Sequence, residues 1–249
     1  MFGSYQAGVW AELSQAWKPD IIVGASIGAL NGWMIAGGCG TEDLMEHWRS
    51  LRRLERHRFR VPLPPWRGLI VADHLEEMVE EICGSFRPRQ PLGIVTTQWA
   101  GLRLRLHRDE EITLRHLLAS CAIPLVLPQQ RLEGRWHSDG GVLSASPVSA
   151  AIKMGATEVV TINVLPKMPW FVRMPMRVAS VASGHRVRTP RQVNIVRIRP
   201  EPVLGSWKES CYWDGERTEQ YIARGREDGR RAVEELTQDC RQIPARAGR

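Results

Sequence analysis

A short apolar run that leads into a G-x-S-x-G turn constrains the fold of this chain more than any other feature. Residues 20–23 are mostly β-branched and predict a buried strand, and residues 29–36 predict a helix. Between them stand Gly24, Ala25, Ser26, Ile27 and Gly28. In a strand–turn–helix setting this pattern forms a nucleophile elbow, which exposes the serine hydroxyl near a helix N-terminus. The segment predicts Ser26 as a nucleophile, against the simpler interpretation of an ordinary turn.

The composition is that of a globular protein with an excess of positive charge. Of the 249 residues, 43% are hydrophobic and 24% are charged, which excludes a disordered or fibrous chain. Lys plus Arg number 34 against 27 Asp plus Glu, a net charge of +7. This charge favours anionic partners such as phospholipid headgroups or nucleic acid. No nucleic-acid-binding module is recognisable, so we expect no nucleic acid partner.

Neither a membrane-spanning segment nor a secretory signal is predicted. No apolar stretch approaches the roughly 20 residues of a spanning helix, and residues 1–10 lack a positive region followed by an apolar one. The five cysteines are scattered without a C-x-x-C pair, which favours a reducing compartment. No histidine pair has metal-ligand spacing with nearby carboxylates, so we expect no metal and no other cofactor. We predict a cytoplasmic protein with peripheral membrane contact.

Helical and strand patterns alternate along the whole chain, which predicts an α/β fold with a largely parallel central sheet. We see no domain boundary and expect one domain over residues 1–249. A terminal helix at about 215–236 carries Gly225 and Gly229 on its apolar side. We expect these glycines to let the helix approach a sheet closely.

Two helix starts can be assigned from capping residues. Asp73 with Glu76 three positions on resembles a capping box. Thr113 precedes a helix with apolar residues at helical spacing and is its predicted cap.

A serine nucleophile needs a base, and the chain offers two candidates. Asp139 stands in S-D-G-G, where glycines let a backbone or ligand approach the carboxylate; a plain Asp-Gly turn is the alternative. His185 follows Asp139 in the Ser–Asp–His order of α/β-hydrolases. The α/β-hydrolase fold has several strands before its nucleophile, whereas only 25 residues precede Ser26. The position of Ser26 therefore argues against that fold. His137, two residues before Asp139, either points into the site or occupies an ordinary strand position.

Four segments in this order resemble consecutive blocks of the patatin-like phospholipase family. They read GSYQAGVW, PDIIVGASIGALNG, ASCAIPLVLP and RWHSDGGVLSASPV, and the resemblance extends over about residues 3–164, with a looser match beyond. The family implies a three-layer α/β/α fold and a Ser–Asp catalytic dyad that needs neither histidine nor metal. It also implies hydrolysis of acyl esters of phospholipids, lysophospholipids or neutral lipids.

The resemblance assigns roles to individual residues. The family's G-x-S-x-G nucleophile matches Ser26, and its D-G-[GA] base matches Asp139, which Gly140 and Gly141 follow. The amide of Ile27 is a predicted oxyanion donor. The family's other donors lie in a G-G-G-x-[KR]-G loop, and Gly3 matches the last glycine of that loop. The rest of the loop and the strand before it have no counterpart in this sequence.

The predicted function is a serine lipid acyl hydrolase that acts through an acyl-enzyme on a lipid ester substrate. Two alternatives stay open: a catalytically weak or inactive lipid-binding relative, because most of the glycine-rich loop is missing, and a Ser–His–Asp triad esterase that uses His185. The basic and aromatic stretches at residues 49–60 and 167–177 are candidates for contact with anionic lipid. A solvated helix face and an irregular crossover are the respective alternatives.

Overall fold

The structure is a computed structural model that describes residues 2–51, 64–144, 146–164, 174, 193–206, 209 and 214–242. Helices and strands alternate along these residues, which confirms the predicted α/β class. The helices are α1 Gly3–Ala16, α2 Ile27–Ala36, α3 Thr41–Ser50, α4 Asp73–Ser85, α5 Leu114–Cys121, α6 Val148–Lys153 and α7 Gly215–Gln242. The strands are β1 Ile22–Gly24, β2 Leu92–Gln98, β3 Arg103–Arg108, β4 Gln130–Leu132, β5 Arg135–Asp139, β6 Glu158–Ile162 and β7 Asn194–Ile198.

Strand β2 is the centre of a five-stranded sheet. Its first edge pairs with β3, antiparallel, over nearly its whole length. Its second edge is shared: β1 pairs with the first half of β2, in parallel, and β5 pairs with the last three residues, antiparallel. Because β1 and β5 approach along this edge from opposite directions, their carboxyl ends, Gly24 and Asp139, meet on either side of Val95.

The described sheet is mixed, whereas a largely parallel one was expected. The pairs β1–β2 and β6–β7 are parallel, and β6–β7 forms a separate two-stranded sheet. Strands β3, β4 and β5 pair antiparallel. The turns that join β2 to β3, residues 99–102, and β4 to β5, residues 133–134, are too short to connect anything but antiparallel neighbours.

The main core lies between β2 and helices α2, α3, α4 and α5. All seven residues of β2 are buried, including Thr96, Thr97 and Gln98. Polar side chains buried in this way need hydrogen-bond partners, and those of Thr96 and Thr97 have theirs on β3 and β5. These contacts attach β5, which carries Asp139, to the most buried of the described strands.

The close approach of the terminal helix α7 is to helix α1 rather than to a sheet. A Cβ on Gly225 would collide with the Tyr5 carbonyl, and one on Gly229 would lie 2.9 Å from the carbonyl of Val9. Gly8 of α1 likewise lies against the backbone of α7. The expectation that the two α7 glycines face a sheet is therefore wrong, because small residues permit close helix–helix contact as well.

The two predicted helix starts differ in outcome. Thr113 is the N-cap of α5 and forms a capping box with His116, which confirms the predicted cap. Helix α4 begins at Asp73, as predicted, but its N-cap is Ala72, whose carbonyl accepts the N–H of Glu76.

Among the described residues, no helix combines the length and the apolar character needed to cross a bilayer. The two predicted lipid-contact stretches lie mainly outside the described residues. Of the stretch 49–60 only residues 49–51 are described, and of the stretch 167–177 only Met174. His185, the base of the alternative triad, also lies outside them.

Candidate active site

The turn between β1 and α2 holds Ser26 in a backbone conformation that L-amino acids rarely adopt. Ser26 has φ 54° and ψ −130°, and a conformation of this kind costs on the order of 1–3 kcal/mol, which surrounding contacts must offset. A Cβ on Gly24 would collide with the backbone of Gly28 and Ala29, whereas the nearest atom to a Cβ on Gly28 is a Gln6 side-chain nitrogen at 3.5 Å. The turn therefore requires the first glycine of G-x-S-x-G sterically and has room at the second.

Asp139 ends β5 with its side chain buried, at 6% exposure. Its N–H donates to the carbonyl of Ala122 at 2.9 Å, and its Oδ1 accepts the N–H of Gly141 at 2.6 Å. A Cβ on Gly140 would collide with the carbonyl of Val95. The two glycines of the D-G-G sequence therefore allow the turn after Asp139, and Gly141 also supplies an N–H to the carboxylate.

Ser26 and Asp139 are hydrogen bonded although 113 positions separate them in the sequence. The Ser26 Oγ donates to the Asp139 Oδ2 at 2.5 Å. Burial raises the pKa of Asp139 from 3.8 to about 6, and the hydrogen bonds from Ser26 and Gly141 oppose this rise. A carboxylate with a pKa near neutrality and a serine hydroxyl as donor can accept and return a proton.

Ser120 on α5 is part of this arrangement, and the sequence offered no sign of its contacts. The Ser26 N–H donates to the Ser120 Oγ at 2.9 Å, and the Ser120 hydroxyl donates to the Val95 carbonyl at 2.8 Å. Ser120 is fully buried. Ser120 thereby connects the strained turn to β2. Because the Ser26 N–H donates to Ser120, it is not available to a substrate.

The threonines of β2 support the strand that carries Asp139. The Thr97 hydroxyl donates to the Asp139 carbonyl at 2.9 Å. The Thr96 Oγ1 lies 2.8 Å from the His137 Nδ1 and 2.9 Å from the His107 Nε2. Burial lowers the pKa of His137 to about 4 and that of His107 to about 3. His137 is therefore a buried strand residue bonded to Thr96, the second of the two interpretations considered for it.

The two predicted oxyanion donors have different surroundings. Ile27 is the first residue of α2, and the N–H groups at a helix start have no partner within the helix. Gly3 is the first residue of α1, where its carbonyl accepts the Asn31 Nδ2 at 3.1 Å. A Cβ on Gly3 would lie within 2.6 Å of ring atoms of Trp48. Gly3 is thus fixed against α2 and α3 by packing and by one hydrogen bond.

A cavity of about 120 Å³ lies beside the elbow and separates β1 from β6. Its walls include Gly24, Ala25 and Gly28 on one side and the residues of β6 on the other. Gln6 also lines it and lies 3.5 Å, through its Nε2, from the carbonyl of Ile162. Residues of β1 and β6 therefore line an open space next to the turn that holds Ser26.

Within the described part of the chain, no group of three or more His, Cys, Asp or Glu side chains is arranged to hold a metal ion. The rings of His107, His116 and His137 lie near one another, with the His107 and His116 ring centroids 4.3 Å apart. The ring nitrogens of His107 and His137 that face Thr96 are hydrogen bonded to its hydroxyl.

A strained turn that holds a serine next to a buried carboxylate, within an α/β fold, is typical of a hydrolase active site. The family model for patatin-like phospholipases matches residues 1–152 of this chain, a range that contains both Ser26 and Asp139. Since the match covers more than half of the chain, the protein belongs to the patatin-like phospholipase family, a family of lipid acyl hydrolases.

Proposed function

We propose that this protein is a serine acyl hydrolase that cleaves acyl esters of phospholipids or lysophospholipids through an acyl-enzyme. The observation that carries the proposal is the 2.5 Å hydrogen bond from the Ser26 Oγ to the Asp139 Oδ2 at a strained turn. Family membership supports the substrate class. Ser26 is the proposed nucleophile and Asp139 the proposed general base.

In the first half-reaction, Asp139 accepts the hydroxyl proton of Ser26 while the Oγ attacks the ester carbonyl carbon. The tetrahedral intermediate collapses, the ester C–O bond breaks, and the leaving alcohol takes the proton from Asp139. Ser26 then carries the acyl group as an ester. The raised pKa of Asp139, about 6, suits this exchange because the group must accept a proton and then release it.

In the second half-reaction, Asp139 accepts a proton from a water molecule whose oxygen attacks the acyl carbonyl carbon. The bond to the Ser26 Oγ breaks, the fatty acid leaves, and the proton on Asp139 returns to Ser26. One carboxylate thus acts as base and acid in both steps, which is why no histidine enters the proposal.

The proposed oxyanion donor is the N–H of Ile27. The neighbouring amides have other partners, since the Ser26 N–H donates to Ser120 and the Gly28 N–H donates to the Ala25 carbonyl at 2.9 Å. The positive end of the α2 dipole adds to the same stabilisation. The part assigned to Gly3 stays a prediction, because it depends on the match to the family's glycine-rich loop.

Covalent labelling with a fluorophosphonate probe, followed by peptide mapping, tests the nucleophile. We expect the probe on Ser26 in the wild-type protein and no labelling of Ser26→Ala. Ser85→Ala is the matched control, because Ser85 is an exposed serine at the end of α4. Labelling of Ser26→Ala at the wild-type rate would contradict the proposal, and an unlabelled wild-type protein would favour the inactive lipid-binding alternative.

Fatty acid release from phosphatidylcholine and lysophosphatidylcholine tests the base. Asp139→Asn should abolish turnover, and Asp20→Asn, a change at an exposed aspartate near β1, should not. The triad alternative makes a different prediction: His185→Ala would abolish turnover in a protein that still melts cooperatively. That result would replace the dyad by a triad.

A further inference from the structure

Most of the large hydrophobic side chains that the described structure leaves exposed lie on adjoining segments. Six such side chains are exposed among the described residues, and four of them are Trp66 at 40%, Leu69 at 42%, Trp99 at 38% and Leu125 at 61%. We call these four residues the tryptophan–leucine surface. The other two, Met174 and Val203, come from separate parts of the sequence.

Backbone hydrogen bonds and one ring contact join the segments of this surface. The Leu69 N–H donates to the Leu125 carbonyl at 2.9 Å, which places those two residues side by side. The Trp66 ring lies 5.7 Å from the ring of Trp136 on β5, and the Trp99 N–H donates to the Trp136 carbonyl at 2.9 Å. Trp136 therefore connects the tryptophans, and the segments lie next to one another.

The charged residues of the segments that form this surface are almost all positive. The segments that form it, residues 64–70, 99–103 and 123–136, contain four arginines and one acidic residue, Glu133. The arginines are all exposed, and they are Arg67, Arg103, Arg131 and Arg135. The guanidinium of Arg131 lies 5.5 Å from the ring centroid of Trp136. Tryptophan and leucine beside arginine match the interface of an anionic bilayer, which offers apolar chains below negative headgroups.

Leu125 is exposed and also strained. Its φ is 67°, in the left-handed region that is unfavourable for a bulky side chain. An exposed leucine in this conformation gains little from burial within the protein. Burial of Leu125 against a partner would offset the cost of this backbone strain.

The tryptophan–leucine surface is close to the proposed catalytic pair along two stretches of chain. Trp136 precedes Asp139 by three residues on β5, and Leu125 follows Ala122, whose carbonyl accepts the Asp139 N–H. Three residues of extended chain span at most about 11 Å. A bilayer that contacts this surface would therefore lie near the dyad.

We propose that the tryptophan–leucine surface docks the protein onto anionic phospholipid bilayers. The proposal rests on the proposed function for its choice of a lipid partner over a protein. It differs from the sequence-based candidates for lipid contact, which were residues 49–60 and 167–177. The arginines supply attraction to the headgroups, and the tryptophans and leucines insert at the interface.

Vesicle flotation of the full chain tests this proposal with two kinds of vesicle, phosphatidylcholine alone and phosphatidylcholine mixed with phosphatidylglycerol. We expect preferential binding to the mixed vesicles and a loss of that preference in high salt. The variant Leu69→Ser/Leu125→Asn should bind on the order of tenfold more weakly. Asparagine suits position 125 because it adopts a positive φ more readily than leucine. Val203→Asn removes an exposed hydrophobic side chain elsewhere and is the matched control.

A second variant, Arg131→Gln, keeps the surface apolar and removes the charge that lies over the Trp136 ring. It should also lower binding to the mixed vesicles, by roughly fivefold. Wild-type affinity in both variants would overturn the proposal. A change of oligomeric state by light scattering in the leucine variant, with vesicle binding retained, would instead identify the surface as a protein–protein interface.

The two proposals fail in different ways. Vesicle binding is measured without turnover, so wild-type protein that hydrolyses a soluble monomeric ester but ignores vesicles would contradict the docking surface alone. Wild-type protein that binds the mixed vesicles but hydrolyses neither the soluble ester nor the lipids would contradict the proposed function alone.

Discussion

The hydroxyl of Ser120 accepts the backbone N–H of Ser26 at 2.9 Å and donates its own proton to the Val95 carbonyl. This buried side chain thus connects the strained turn to the central strand β2. The hydrogen bond between Ser26 and Asp139 depends on that connection, because Ser26 must hold an unfavourable φ while its Oγ points at Asp139. A contact that fixes the backbone of a nucleophile affects the geometry of attack more than the affinity for substrate.

Ser120→Ala removes the acceptor for the Ser26 N–H, and we expect kcat to fall by about 10- to 100-fold with little change in KM. The buried amide left without a partner should lower the free energy of unfolding by about 1–3 kcal/mol. Steady-state kinetics and urea denaturation measure the two effects. Ser120→Thr keeps the hydroxyl and should recover part of kcat. A variant with normal kcat and reduced stability would show that Ser120 is only a structural residue.

The pKa of Asp139 predicts how activity depends on pH. Only the ionised carboxylate can accept the Ser26 proton, and burial raises the pKa of this group to about 6. We therefore expect kcat/KM to fall about tenfold for each pH unit below 6 and to level off above it. Hydrolysis of a soluble ester between pH 4.5 and 8 measures this profile, with circular dichroism to show that the protein stays folded. A flat profile down to pH 4.5 would contradict the assignment of Asp139 as the base.

The same pKa shift predicts a pH-dependent cost in stability. In the unfolded chain the Asp139 carboxyl titrates near 3.8, and in the folded protein near 6. Between these values the folded state binds more protons, so this group makes the free energy of unfolding fall as pH rises, by on the order of 3 kcal/mol. Asp139→Asn removes the dependence, so its stability relative to wild type should increase from pH 4 to pH 7. Urea denaturation at both pH values checks this, and a constant difference would contradict it.

The two glycines of the G-x-S-x-G sequence should respond differently to substitution. A Cβ at position 24 would collide with backbone, so Gly24→Ala should lower stability by about 1–3 kcal/mol and impair fluorophosphonate labelling. At Gly28 the nearest atom to a Cβ is 3.5 Å away, in the flexible Gln6 side chain. Gly28→Ala should therefore fold normally and gain up to about 1 kcal/mol, since alanine favours the helix. Thermal melts of both variants measure the contrast, and equal losses would contradict it.

The local features of this site could be predicted from sequence because each has a local physical cause. The turn that holds Ser26 needs Gly24, two positions before it, and the turn after Asp139 needs Gly140, which fits against β2. Both sites are therefore recognisable as glycine-containing sequences. The strand before Ser26 and the helix after it follow from apolar runs and their spacing. Burial of Asp139, which raises its pKa, is a property of the folded chain and could not be predicted in this way.

The contacts that depend on strand register could not be predicted. Ser120 is one polar residue in an apolar helix, and its partners Ser26 and Val95 come from two other elements. That β1 and β5 share one edge of β2 is likewise set by pairing between distant segments. The mixed sheet has the same origin, because two short turns impose antiparallel neighbours that the alternation of elements does not indicate.

The last prediction concerns helix α7, whose apolar side was evident from sequence although its partner was not. Gly225 lies against the Tyr5 carbonyl of α1 with no room for a Cβ, so Gly225→Ala must push the two helices apart. We expect a loss of about 1–3 kcal/mol in the free energy of unfolding. Gly84→Ala in α4 is the matched control, because no atom lies within 4 Å of a Cβ there, and it should be neutral or slightly stabilising. Thermal denaturation compares the two, and a Gly225→Ala protein as stable as wild type would show that the α1–α7 contact is looser than described.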